Sequence, residues 1–279
     1  TDFDAVTMDL ARNDIAPFIV ESWDLECIRG SRDKNFPDAR LSGDEINQVG
    51  SSIWRFGDED NIYQCVHCVR PTAKIDFSVD WDVYSYQEEK SMLKGYLSYS
   101  RDYVDADMRI AFNQYGFDNP YWDARNRRHF PHRDKNNAGG SSFDRGDIEY
   151  GRINGKRTEC RETFSGSKAH GGRTMHVIDA DGRIDLDVFK HAAEQWKMPR
   201  GLNFVAEKIV GSKKDDIDHI KINANHDAGA YERGETAKYV SFFLYLVEFP
   251  FLSFLKAASC VSCALRLVLG TVVSIPNCH

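Results

Sequence analysis

The chain has 279 residues, of which 42% are hydrophobic, 28% charged and 12% aromatic, with a formal net charge of −7. This composition excludes collagen-like, low-complexity and wholly disordered classes and is long enough for one large or two small domains with a sizeable core. The acidic balance also excludes a protein that coats nucleic acid by bulk charge, but not one that cuts it with carboxylate-held metal.

The chain opens on Thr1 with no basic-then-apolar leader. No signal peptide is read, and the sequence is expected to be a fragment. Phe18–Ile28 is apolar along its length and reads as a strand. A Gly/Pro/Asp loop runs from Gly30 to Gly43, followed by strands over 46–56 and 61–69. A helix is expected over 85–99, with Glu88, Glu89 and Lys90 outward and Met92, Leu93 and Leu97 inward. Met108–Phe112 reads as a short strand that ends in the loop Asn113–Asp118. Pro120 then fits the first turn of a helix capped by Asp118 or Asn119. Residues 131–147, rich in Gly, Ser and Asn, read as a long surface loop. Ile184–Asp187 leads into a helix over 188–196, and another helix starts over 202–209.

Seven cysteines, odd in number and scattered, read as reduced and intracellular. Cys65/Cys68 and Cys260/Cys263 have zinc-like spacing. They lie far apart in the chain, and the first pair falls inside a strand-like run, so buried strand and tail cysteines are expected instead of zinc.

Three acids carry the chemistry. Asp24 and Glu26 are one residue apart on an apolar strand, so both project from the same face. Two hard oxygen ligands so placed suit Mg²⁺ or Mn²⁺; the alternative is an edge strand showing a polar face to water. Asp118 adds a third carboxylate at a strand-to-helix junction, where a plain helix cap is the alternative.

Longer stretches carry a resemblance. Val20-Glu-Ser-Trp-Asp-Leu-Glu-Cys27, Phe36-Pro-Asp38 and Asp44-Glu-Ile-Asn-Gln-Val-Gly50 resemble exonuclease motif I of family B DNA polymerases and the strand after it. Asn113-Gln-Tyr-Gly-Phe-Asp118, with its lead-in from Asp105, is similar to motif II, N-x-x-x-F-D. Ser165–Gly171, Gly182–Phe189, Leu202–Glu207 and Gly211–Ile217 resemble the run before motif III. The resemblance covers about residues 17–240 and is nearest to eukaryotic delta-type enzymes and their relatives in large DNA viruses.

It implies an α/β, ribonuclease H-like domain with a mixed sheet flanked by helices. Such a domain removes mispaired 3′ nucleotides from a single-stranded primer end with two Mg²⁺ or Mn²⁺ ions. Asp24, Glu26 and Asp118 would be metal ligands, and Asn113 would position the loop or the terminal nucleotide. Phe117 would stack on an unpaired base or simply pack in the core. The implied partners are DNA and the rest of the polymerase; the implied location is the nucleus or a viral replication site, with no membrane. The acidic motifs of a polymerase domain do not occur in this chain.

At motif III, Y-x-x-x-D, the sequence departs from the family. Tyr239 matches the tyrosine that orients the attacking water, but Phe243 stands in place of Asp. Tyr231 with Glu235 is an alternative frame with poorer flanks. The departure coincides with a change of texture, because Glu248, Lys256 and Arg266 are the three charged residues in 242–279. Residues 1–16 are expected to end a preceding domain, 17–240 to form the exonuclease domain and 241–279 to be an apolar tail foreign to the family. Val240-Ser241 can be encoded by a splice-donor sequence, so read-through or frameshift is the first account of the tail; a membrane hairpin and a buried amphipathic pair are the others. Cutting the chain after Tyr239 is expected to leave the domain folded.

Overall fold

The computed structural model describes residues 17–56, 58, 62–76, 80–131, 149–153, 156, 158–165, 172–189, 207 and 217–257. Six strands form one mixed sheet: β1 (Ile19–Cys27), β2 (Ile46–Arg55), β3 (Tyr63–Val69), β4 (Asp82–Tyr86), β5 (Met108–Ala111) and β8 (Ile184–Asp187). Their order is β4-β3-β2-β1-β5-β8. The pairs β1–β2 and β2–β3 are antiparallel, while β3–β4, β1–β5 and β5–β8 are parallel. Strands β6 (Glu159–Ser165) and β7 (Arg173–Asp179) form a separate antiparallel ribbon. The described helices are α1 (Glu89–Ser98), α2 (Asp118–His129), α3 (His219–Ala228) and α4 (Ala230–Ala257). A π-helical segment, Tyr99–Val104, continues α1.

Alternation along β1 divides the core into two layers. Trp23, Leu25 and Cys27 pack with Met92, Leu93, Tyr96, Tyr121 and Trp122 of α1 and α2. Val20 packs on the other face with Met108, Ile110, Leu186 and Phe243. β1 is paired on both sides, with β2 and with β5, so the edge-strand alternative fails.

Between β1, β5 and β8 lies a rung of buried charge. Glu21 is in register with Arg109, and Arg109 with Asp185. The Arg109 guanidinium lies 4.3 Å from the Trp23 ring and 4.7 Å from the Tyr150 ring, with Nε 3.5 Å from Asp185 Oδ1. Glu21 Oε1 accepts from Ser51 Oγ at 2.8 Å and Tyr96 OH at 3.1 Å.

Three local expectations need correction. The helix expected over 85–99 is shorter, because Ser85 and Tyr86 close β4 and the helix begins at Glu89. Glu89 points inward: its carboxylate accepts from Arg125 Nε and from the Ile46 amide, each at 2.8 Å, so a distant arginine makes its burial tolerable. Asp118 is the first residue of α2, not its cap, and Phe117 holds the cap position. Cys65 and Cys68 are buried in β3, and three residues apart on a strand they face opposite sides. Residues 1–16, most of the 131–147 loop, most of the helices expected over 188–196 and 202–209, and 258–279 lie outside the described residues. Among the described residues no helix is long and apolar enough to cross a membrane.

The chain does not leave the core at 240. Helix α4 continues unbroken past Val240-Ser241, and Val240, Phe243, Leu244 and Val247 are buried at helical spacing. The Ser241 carbonyl accepts from Gln64 Nε2 at 2.7 Å. Gly50 of β2 admits this helix, since a Cβ there would lie 2.4 Å from Val240 Cγ1. Leu244→Ala should therefore cost about 2–5 kcal/mol in urea unfolding. Truncation after Tyr239 should abolish the cooperative transition, against the expectation from sequence; an unchanged transition would show that α4 contributes no core.

Candidate active site

Strands β1, β5 and β8 run parallel, and their carboxyl ends meet at one edge of the sheet, the usual ligand edge of such sheets. A cavity of about 630 Å³ opens there. Its walls include Asp24 and Glu26 from β1, Asn113, Phe117 and Asp118 after β5, and Tyr239 from α4. The six residues to which the family resemblance gives a role therefore line one cavity. Phe36, Phe112, Phe189, Asp218, His219 and Phe243 line it too.

Asp118 is 2% exposed, and its Oδ1 has no hydrogen-bond partner. Burial, then the charges of Asp187 and Glu26, push its carboxyl up to about 8. Asp187 is buried beside it and is pushed up to about 6 by desolvation, against the pull of three backbone amides. Those amides shape the site. Asn113 N–H donates to Asp187 Oδ1 at 2.7 Å, Phe189 N–H to the same oxygen at 3.0 Å, and Tyr115 N–H to Oδ2 at 3.1 Å. They hold Asn113 at a φ of 70°, a left-handed conformation that a non-glycine residue keeps only when its surroundings fix it.

Part of the lining is aromatic. The Phe36 ring lies 5.4 Å from both Phe117 and His219. Tyr239 and Phe243, one turn apart on α4, are both buried at the cavity. The alternative frame does not reach it: Tyr231 is exposed, and neither it nor Glu235 is among the lining residues.

In donor chemistry the site fits a divalent cation, with hard carboxylate oxygens and one unpartnered buried oxygen at Asp118. Among the described residues, no three His, Cys, Asp or Glu side chains gather around a single ion position.

A family model for the exonuclease domain of DNA polymerase family B matches residues 1–203. The chain belongs to this family. The DNA polymerase delta catalytic subunit of Schizosaccharomyces pombe is 28% identical over 230 residues, 81% of this chain and 19% of that protein. The subunit of Candida albicans is 26% identical over 206 residues, 74% of this chain and 18% of that protein. That of Bos taurus is 26% identical over 230 residues, 81% and 18% of the two chains. The chain spans about a fifth of the length of these curated relatives.

Sequence reasoning on this exonuclease domain missed Asp187 and Asp185. The signal was present, because acids at 185 and 187 repeat the one-residue spacing of Asp24 and Glu26 on a strand. Arg173, whose Nη2 donates to Asn113 Oδ1, carried no local signal, because the contact spans 60 residues.

The raised Asp118 fixes a pH dependence. The folded, metal-free domain keeps a proton that the unfolded chain has already lost, so this stabilisation is full below the ordinary carboxylate range. It is lost as pH rises through about 8. Buried His67 and His226, pushed down by desolvation, act only below about pH 6.5. Between about pH 6.5 and 8, stability in EDTA should fall on the order of 1 kcal/mol, and Asp118→Asn should flatten the fall. A wild-type stability that does not change across that window in urea titrations would refute the assignment.

Proposed function

We propose that this domain binds the single-stranded 3′ end of a DNA primer and removes mispaired nucleotides by metal-dependent hydrolysis, as part of a delta-type polymerase. The convergence of Asp24, Glu26 and Asp118 on one cavity with an aromatic wall carries this reading. The rest of the polymerase, DNA and a nuclear or viral replication site are the partners and place it implies. Residues 17–240 would form the exonuclease domain, and the segment after 240, foreign in composition, would still complete its core.

Asp24, Glu26 and Asp118 would hold Mg²⁺ or Mn²⁺, which supplies Lewis-acid polarisation of the scissile phosphodiester. Phe36 and Phe117 offer ring faces on which an unpaired terminal base stacks. A mispaired end frays more cheaply than a paired one and reaches these rings more often. Asn113, fixed by Asp187, positions the terminal nucleotide, and the Tyr239 phenol orients the attacking water.

Phe243 sets the limit. It puts a ring on the cavity wall where the family pattern carries a carboxylate. The domain then has less negative charge to hold two cations close together, and the water loses an oriented partner. Loss of one such group costs about 10²–10⁴ in rate. The chain should bind a labelled 3′ single strand yet digest it slowly in Mg²⁺. A family-like helix with Asp at position 243 should restore digestion. Phe243→Asp alone should restore less, because apolar neighbours raise that carboxyl. Asp24→Ala with Glu26→Ala should abolish residual cutting and any metal-induced rise in Tm. Rapid Mg²⁺-dependent digestion by the unmodified chain would overturn the role given to Phe243; retained metal binding in the double variant would overturn the ligand set.

A further inference from the structure

We infer that Arg173, on the β6–β7 ribbon, contacts a backbone phosphate of the strand that enters the cavity and couples the ribbon to the site; this rests on the nuclease reading above. The described cavity wall carries Asp24, Glu26, Asp118 and Asp218 but no lysine or arginine, so it repels the polyanion it is read to bind. Half-buried Arg173 touches two residues of that wall. Its Nη2 donates to Asn113 Oδ1, and its guanidinium carbon lies 4.9 Å from the centroid of the Phe189 ring; both partners line the cavity.

The space for this side chain is made by Gly116. A Cβ at that position would fall 1.9 Å from Arg173 Nη2, so any larger residue would displace the guanidinium. The ribbon is also tied to the loop beside it. His176 N–H donates to the Tyr115 carbonyl at 2.8 Å, and Asn119 Nδ2 donates to the His176 carbonyl at 2.9 Å. Arginine suits the task because its planar fork presents five donors, so a hydrogen bond to Asn113 leaves others able to meet a phosphate.

The test is binding of a short, fluorescein-labelled oligothymidylate with a free 3′ end, read by anisotropy in Ca²⁺ over a salt series. Wild type should bind, and Arg173→Gln should weaken binding about tenfold and lower the salt slope by about 0.7, the signature of one lost phosphate contact. Arg173→Lys should keep most of the slope. A single neutral methylphosphonate linkage, moved along the strand, should weaken wild-type binding at one linkage near the 3′ end. Arg173→Gln should be insensitive at that same linkage.

Equal binding by wild type and Arg173→Gln, or a loss spread evenly over every linkage, would overturn the inference while the nuclease reading stands. Absence of wild-type binding to any 3′ single strand would overturn that reading and this inference with it. If Arg173→Gln does not melt cooperatively, the wild-type linkage scan and Arg173→Lys decide. A wild type insensitive at all linkages would then refute the phosphate contact.

Discussion

The arrangement depends on the buried rung Glu21–Arg109–Asp185. One arginine on β5 is flanked in register by acids on β1 and β8, with two aromatic rings against its guanidinium. Each of these charges would be prohibitive alone in the interior, and removing one partner of such a set costs about 3–5 kcal/mol because the others are left uncompensated. A slip of one residue would turn each strand's charges to the other face. The rung thereby fixes the register of the three parallel strands whose carboxyl ends form the cavity.

Two residues beyond the rung, the same alternation on β8 delivers Asp187. This carboxylate spends its oxygens on the backbone amides of Asn113, Tyr115 and Phe189, and its charge helps push the Asp118 carboxyl up. Building the loop and crowding the acids are thus one act. The crowding is unfavourable by itself, and a divalent cation held there as proposed would relieve it.

Helix α4 shows how composition and structure can part. Charge nearly vanishes after 241, and in sequence this marks a boundary. In the fold the helix passes through that point, because what the sheet face requires of residues 240–247 is apolar side chains at helical spacing, and these residues supply them. Shape complementarity tolerates many apolar sequences, whereas the proposed metal site would require a carboxylate at one position. Phe243 satisfies the first demand and, on that proposal, fails the second.

The sequence by itself determined the α/β class, the strand carrying Asp24 and Glu26 on one face, the strand-to-helix turn carrying Asp118, and Tyr239 with Phe243 in succession. These are local signals: period two on a strand, a turn before a proline, a four-residue step on a helix. The inward turn of Glu89 toward Arg125, the support of Asn113 by Asp187 and Arg173, and the closure of the core by α4 were decided only in the tertiary structure. The burial of a charge is settled by its partner, and here the partners lie tens of residues away, beyond the reach of any local pattern.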